Sequence, residues 1–301
     1  MEMYRVAVVG VGSFGRHHAR HLAAHPAVSE LTVVDADDAR AYSIAHEHGA
    51  IATRTVGDVD AAIITVPTES HAAVAAPLLA RGIHCFVEKP MAASTTEAEI
   101  MDRAARTSGA TLQVGHIERF GAVFQALSKS VSDPRYIAAR RLNEPRPIPP
   151  TVDVVFDLMI HDIDLVLSMV RAPVTGVDAF AFGPMPSENV QARLFFANGA
   201  IADLTASRQS PHTERTLVAH DNAAVTRADL AAGTLHRCTG SSVEDATPAK
   251  THDNLRAELD DFFHAISVNR SPVVGGDAGL DALRLAERIS ASVTPSARLT
   301  A

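Results

Sequence analysis

Val6-Ala7-Val8-Val9-Gly10-Val11-Gly12-Ser13-Phe14-Gly15 is an apolar, mostly β-branched run that breaks into G-x-G-x-x-G near the start of the chain. The glycine pattern alone carries little weight, and its surroundings decide its meaning. A strand precedes it, a helix is predicted over 14–24, and the acidic residue Asp35 closes the next predicted strand, 31–35. In that setting Gly10 makes the tight turn, Gly12 lets backbone approach a pyrophosphate, and Gly15 lets helix and strand pack closely. The helix start, with the backbone of Ser13 and Phe14, offers N–H groups and a dipole to the phosphates, worth about 0.3–2 kcal/mol. Asp35 is placed to accept hydrogen bonds from the adenosine ribose hydroxyls. A 2′-phosphate would meet that carboxylate, with Asp37 and Asp38 adding negative charge and Arg40 as the one close cation. The expected cofactor is therefore NAD, not NADP.

Outward from this motif, strand and helix alternate. Strands are expected at 61–66, 83–87 and 111–114, and helices at 37–48, 70–80 and 95–107. Ser94 or Thr95 caps the last of these, with Glu97 and Glu99 following. Strands separated by helices of this length form βαβ units and a parallel sheet. Beyond residue 117 the rhythm changes. A helix around 118–131, a strand at 136–142, a proline-rich loop at 144–150 and a long helix at 153–170 lead into successive strands from 174 to 238. Asn198-Gly199 marks a tight hairpin, because both residues tolerate positive φ. Helices at 252–268 and 280–292 close the chain. The expected fold class is α/β: an N-terminal Rossmann domain over 1–117, then an α+β domain over 118–301 with a largely antiparallel open sheet.

A length of 301 residues, 47 % of them hydrophobic, supports two cores. The formal net charge of −8 argues against a nucleic-acid binder or a membrane-surface binder, which would carry a basic patch. Two cysteines, Cys85 and Cys238, are too few for a disulfide framework and fit a reducing cytoplasm. No apolar run is long enough to span a bilayer. The N-terminus lacks the basic and apolar regions of a signal peptide.

Of 27 lysine and arginine residues only three are lysine, and one of these stands in Glu88-Lys89-Pro90, just after a predicted strand. Ligands of an open parallel sheet gather at the carboxyl ends of its strands, which is where this turn falls. Lysine, unlike arginine, can be tuned to exchange protons. Asp157-x-x-x-His161 lies in a predicted helix, so carboxylate and imidazole share a face, with Asp164 one turn on. Removing hydride from a secondary alcohol requires a base for the hydroxyl proton, and histidine suits that task near neutral pH. His161 is the expected base. Lysine as base would need a shift of about three pKa units, so Lys89 is expected to orient the hydroxyl and relay its proton. The immediate proton acceptor is left open between the two.

Taken in order, Gly10–Gly15, Thr65-Val66-Pro67-Thr68-x-x-His71, Glu88-Lys89-Pro90 and Asp157-x-x-x-His161-x-x-Asp164 resemble the Gfo/Idh/MocA oxidoreductases over essentially the whole chain. The resemblance implies a nicotinamide-dependent enzyme acting on sugars and related polyols, often as a homodimer or homotetramer through its C-terminal sheet. It assigns Lys89, Asp157 and His161 to catalysis. It puts Pro67 and His71 near the nicotinamide pocket and counts Thr65, Glu88 and Lys89 with them among the cofactor-binding residues. Val114–Phe120 and Val152–Asp164 are similar to a subgroup of UDP-N-acetylglucosamine 3-dehydrogenases, which oxidise the C3 hydroxyl ahead of a transaminase in lipid A biosynthesis. Val154-Val155 stand where the family often has a Gly-Gly pair, and Gly121-Ala122 where the subgroup often has Asn-Pro. The implied sugar contacts are Lys89, His116, Glu118, Arg119, Asp157 and His161; Arg119, Arg141 and Arg146 are read first as solvent-exposed surface arginines, with contact to a diphosphate as the alternative. The alternatives are a dehydrogenase of a free sugar, inositol or other polyol, and a non-catalytic regulator that senses NAD or a sugar. No metal is expected: His17, His21 and His25 recur every four residues, but without an evident Cys or carboxylate partner.

Overall fold

In the computed structural model, residues 2–145, 152–183, 185, 188–249 and 252–295 are described. By contacts, the chain divides into two units, Met1–Ile117 with Asp253–Asp281, and Glu118–His252 with Ala282–Ala301.

The first unit carries β1 (Tyr4–Val9), α1 (Gly15–Ala23), β2 (Val28–Val34), α2 (Asp38–His48), β3 (Ile51–Thr53), β4 (Ala61–Ile64), α3 (His71–Ala80), β5 (His84–Glu88), α4 (Thr95–Ser108) and β6 (Leu112–Gly115). The six strands form a parallel sheet in the order β3-β2-β1-β4-β5-β6, the doubly wound Rossmann arrangement. The central strands read as unbroken apolar runs because both faces are buried: Val6, Ala7 and Val8 have no exposed surface, nor do Ala61 to Ile64. The helices are delimited locally. Asp37 caps α2 by accepting the Arg40 N–H, and Gly49 ends it at φ 65°. Ser94 caps α4 by accepting the Glu97 N–H.

The second unit carries α5 (Ala122–Ser130), β7 (Tyr136–Leu142), α6 (Ile160–Val170), β8 (Val174–Ala181), β9 (Asn189–Phe196), β10 (Ile201–Ser207), β11 (Glu214–His220), β12 (Val225–Asp229), β13 (Thr234–Thr239) and β14 (Ser242–Asp245). α7 (Asn254–Ser267) returns to the first unit. α8 (Gly276–Ser292) contains the division between the units, and β15 (Val293–Pro295) ends the described chain. The nine-stranded sheet runs β14-β13-β12-β11-β7-β10-β9-β8-β15 and is antiparallel except for the β7–β10 and β8–β15 pairs. One face buries Ile137, Ala139, Leu204 and Leu217 against Phe124 and Leu127 of α5, Ile163 and Val166 of α6, and Leu285 and Ile289 of α8.

Three expectations need correction. The second domain is not continuous over 118–301. Leu259, Phe262 and Phe263 of α7 pack with Tyr4, Phe86 and Leu22 of the first unit, and Tyr4 stacks on Phe263 at 5.7 Å. The helix expected over 153–170 begins instead with a π turn, Val155–Met159, whose register is set by the Ile160 N–H reaching back to the Val155 carbonyl. The hairpin at Asn198-Gly199 has positive φ at Gly199 only, 81°. Its turn is wider than two residues: the Gly199 N–H donates to Phe196 and the Phe196 N–H to Ala200, while the Asn198 side chain accepts the Ala200 N–H.

Candidate active site

In the first unit the glycine turn joins β1 to α1. Gly10 has φ 88°, and a Cβ there would stand 2.8 Å from the Val66 backbone nitrogen. A Cβ at Gly15 would stand 1.9 Å from the Gly10 carbonyl oxygen, so helix and turn touch only because residue 15 is glycine. A Cβ at Gly12 would meet nothing within 4 Å. That open space lies where the motif brings a pyrophosphate. No side chain caps the start of α1, and its first turn holds no acidic residue. The helix end is thus electrostatically suited to an anion. Ser13 and Phe14 stand exposed beside it.

Asp35 follows β2 and turns its carboxylate toward this loop. It accepts the Val11 N–H at 2.8 Å and the Asp37 N–H at 2.9 Å, with the Arg40 guanidinium 3.5 Å away. A carboxylate has about four lone-pair sites, so capacity remains for a ribose hydroxyl. The residues fit a bound NAD: Gly10 to Gly15 would cradle the pyrophosphate and Asp35 the ribose.

Thr65, beyond β4, donates its hydroxyl to the Gly10 carbonyl, which ties the glycine turn to the neighbouring strand. Pro67 opens a single 3₁₀ turn, Thr68–Ser70, ahead of α3. His71 is buried, with Nδ1 2.9 Å from the Pro90 carbonyl and Nε2 2.9 Å from the Val66 carbonyl. It therefore bridges the loop carrying Pro67 to the loop carrying Lys89. Burial pushes its pKa down, partly offset by those two carbonyls.

Glu88 ends β5, and the Lys89-Pro90 peptide is cis. The Glu88 carboxylate meets His18 Nε2 of α1 at 2.8 Å and accepts the Lys89 N–H at 3.2 Å. Burial works to raise this carboxyl, but His18 and then Lys89 outweigh it and hold it below the usual carboxylate range. Gly115 packs tightly next to it: a Cβ there would stand 3.0 Å from Glu88 Oε2. Sequence reasoning did not single out His18 as the partner of Glu88. It is the α1 histidine, next to His17, that faces the Glu88-Lys89 turn, and nothing in a helix read alone says which histidine that is. His116 lies at the end of this unit and is buried.

In the second unit, Asp157 sits in the π turn and His161 in the first turn of α6. π turns are rare and recur at functional sites. The Asp157 carboxylate accepts Arg208 Nη1 at 3.1 Å and keeps 28 % of its surface exposed. Glu118 and Arg119 lie in a 3₁₀ turn, Ile117–Phe120. Both spend their charge internally: Glu118 accepts Arg141 Nη1 at 2.8 Å, and Arg119 donates to Asp164 at 2.9 Å. Arg141 also donates twice to Asp162, at 3.1 and 2.8 Å, and is 3 % exposed. It is neither a surface arginine nor an idle diphosphate ligand. Burial pushes the Asp162 carboxyl up against the pull of Arg141. Breaking such a buried pair by removing one partner costs about 3–5 kcal/mol. Arg146 falls outside the described residues.

The histidines of α1 and of the turn after it go to separate carboxylates. His21 lies 3.4 Å from Asp253 and His25 3.0 Å from Asp260. Among the described residues no group of three or more His, Cys, Asp or Glu is arranged to hold a metal, and no helix is long and apolar enough to cross a membrane.

Two family profiles match the chain. One, described as an oxidoreductase family with an NAD-binding Rossmann fold, covers residues 4–116, and the corresponding GFO/IDH/MocA C-terminal domain covers 133–226. The chain is 33 % identical to the UDP-N-acetylglucosamine 3-dehydrogenase of Acidithiobacillus ferrooxidans, over 96 % of this chain and 97 % of that one. A solved structure of that enzyme superposes with a TM-score of 0.91 at 32 % identity, covering 97 % of this chain and 98 % of the other. The inositol 2-dehydrogenase of Rhizobium meliloti is 24 % identical over 98 % of each chain.

Proposed function

The chain belongs to the Gfo/Idh/MocA oxidoreductase family and is an NAD-dependent oxidoreductase, and from that premise we propose that it oxidises a secondary hydroxyl of a sugar nucleotide, C3 of UDP-N-acetylglucosamine, to the 3-keto sugar. The observation that supports this substrate is the end-to-end match to the Acidithiobacillus enzyme at 33 % identity, against 24 % for the inositol 2-dehydrogenase. NAD supplies the hydride acceptor.

The chain's own residues handle everything else. Gly10 to Gly15 and Asp35 hold the dinucleotide, and Thr65, Pro67, His71 and Glu88 shape the loops next to Lys89. Lys89 donates to the reacting hydroxyl oxygen and fixes its direction. His161 takes the hydroxyl proton, a step worth about 10²–10⁴-fold when the base is well placed. Asp157 steadies the imidazole. His116, Glu118 and Arg119 frame the sugar. Because Glu118 and Arg119 are held in ion pairs, they act as a fixed wall with partly satisfied polar groups, not as mobile charges. The enzyme works in the cytoplasm as a homodimer or homotetramer and feeds a 3-keto sugar to amination for lipid A.

The experiment is NADH formation at 340 nm with UDP-N-acetylglucosamine, UDP-glucose, free N-acetylglucosamine, myo-inositol and scyllo-inositol. The expected result is a kcat/KM for UDP-N-acetylglucosamine at least about 100-fold above each free sugar or inositol, a gap of about 2.7 kcal/mol in transition-state binding. Faster oxidation of an inositol would replace the substrate and keep the chemistry. Tight NADH binding with no turnover of any of the five would move the protein to the regulators.

A further inference from the structure

Arg208 follows β10 and is 7 % exposed. Each of its N–H groups has an acceptor. Nε donates to Glu188 Oε2 at 2.7 Å, and Nη2 to Glu188 Oε1 at 3.0 Å. Nη1 and Nη2 both donate to the Val152 carbonyl at 2.9 Å. Nη1 also reaches Asp157 Oδ2 at 3.1 Å. A guanidinium has five N–H donors, and five contacts consume them. The backbone prepares this fork. The Arg208 N–H donates to the Glu188 carbonyl at 2.9 Å, which continues the β9–β10 ladder one pair beyond Asn189 and Ser207 and sets the two side chains opposite each other.

The exposures differ in a telling way. The Arg208 and Glu188 side chains keep 7 % and 10 % of their surface, whereas Asp157 keeps 28 %. The carboxylate that faces outward is thus held from behind by a cation that does not. The same guanidinium holds Val152, so both ends of the segment leading into the π turn are tied to the end of the sheet.

We propose that Arg208 is a positioning residue for the reaction: it fixes the direction of the Asp157 carboxylate and the π turn that carries it, with Glu188 orienting the guanidinium, and does not itself touch the sugar. This rests on the assignment of Asp157 and His161 as the proton-handling pair. Only a planar fork satisfies a bidentate carboxylate, a carbonyl and a second carboxylate together. Lysine keeps the charge but offers three donors from one point.

The test compares Arg208→Met, Arg208→Lys, Glu188→Gln and His161→Asn with the wild-type enzyme, using whichever of UDP-N-acetylglucosamine and myo-inositol the wild type oxidises. The readouts are kcat, KM for that substrate, NADH affinity by fluorescence, and hydrogen exchange of a peptide spanning residues 153–165. Arg208→Met is expected to lower kcat about 30- to 300-fold, with KM within about threefold and NADH affinity unchanged. Arg208→Lys should recover about threefold of that loss, and Glu188→Gln should lower kcat about five- to tenfold. Exchange over 153–165 should quicken in both Arg208 variants. If Arg208→Met does not fold, the Lys and Gln variants decide on the same criteria. The proposal falls if kcat stays within threefold of wild type in the Arg208 variants while His161→Asn is inactive, or if the loss appears in KM, which would make Arg208 a substrate contact. A fully active His161→Asn enzyme would instead overturn the assignment of the proton-handling pair.

Discussion

Substituting Gly12→Ala separates cofactor binding from folding. A Cβ at Gly12 would meet no protein atom within 4 Å, and Gly12 is not among the glycines with positive φ. The apo protein should therefore lose no more than about 0.5 kcal/mol. The methyl would occupy the space the motif leaves for the pyrophosphate. An amide hydrogen bond to a charged group is worth about 1.5–3 kcal/mol, so displacing the phosphates enough to lose one raises the NADH Kd about 10- to 150-fold. Gly15→Ala makes the contrast. Its Cβ would lie 1.9 Å from the Gly10 oxygen and 2.6 Å from the Thr65 hydroxyl, so helix and turn must part before any cofactor arrives. That variant should lose about 1–3 kcal/mol of stability as well as affinity. Titration calorimetry with NADH, beside urea denaturation of the apo proteins, reads both quantities. An apo Gly12→Ala protein destabilised as much as Gly15→Ala would refute the reasoning, as would one binding NADH within twofold of wild type.

Three further outcomes follow from particular groups. The Asp35 carboxylate beside the Val11 N–H predicts an NADP Kd at least about tenfold weaker than that of NAD, and near-equal constants in wild type would remove the ribose assignment. Burial holds His71 below its ordinary pKa, so the unfolded chain takes up a proton before the folded one does. The stability this histidine contributes is complete above the unfolded value near 6.5 and is lost as pH falls through the lower folded value, at no more than about 1.4 kcal/mol per pH unit. Denaturation at pH 8 and pH 5.5 should show a smaller decline for His71→Gln than for wild type; equal declines would contradict it. Burial likewise pushes the Cys85 thiol well up, so a maleimide should label Cys238 first in the native protein. Labelling of Cys85 at an equal rate would show that its strand opens.

What the sequence reveals of this protein follows the range of the forces involved. The glycine turn, the Ser94 cap and the turn that carries Lys89 are set by residues within a few positions of one another, and each falls at the element end where its pattern puts it. The place of α7 depends on which core Phe262 and Phe263 choose, and an amphipathic helix does not state its partner. The π turn has no propensity signal of its own. It is tied down by Arg208, which is 51 residues from Asp157 in the chain. Asp162 and Asp164 look like polar positions of a helix, yet both are buried, because Arg141 and Arg119 arrive from β7 and a 3₁₀ turn to neutralise them. Edge strands such as β3 and β15 are three residues long, too short for alternation to register.

The most direct measurement follows one atom. UDP-N-acetylglucosamine carrying deuterium at C3 should be incubated with the enzyme and NAD, and the reduced cofactor recovered for mass and NMR analysis. One deuterium at nicotinamide C4 for each keto sugar formed, lost together with turnover in His161→Asn, is the predicted result. Reduced cofactor that forms without deuterium would contradict oxidation at C3, and keto sugar produced at the wild-type rate by His161→Asn would contradict the role given to that histidine.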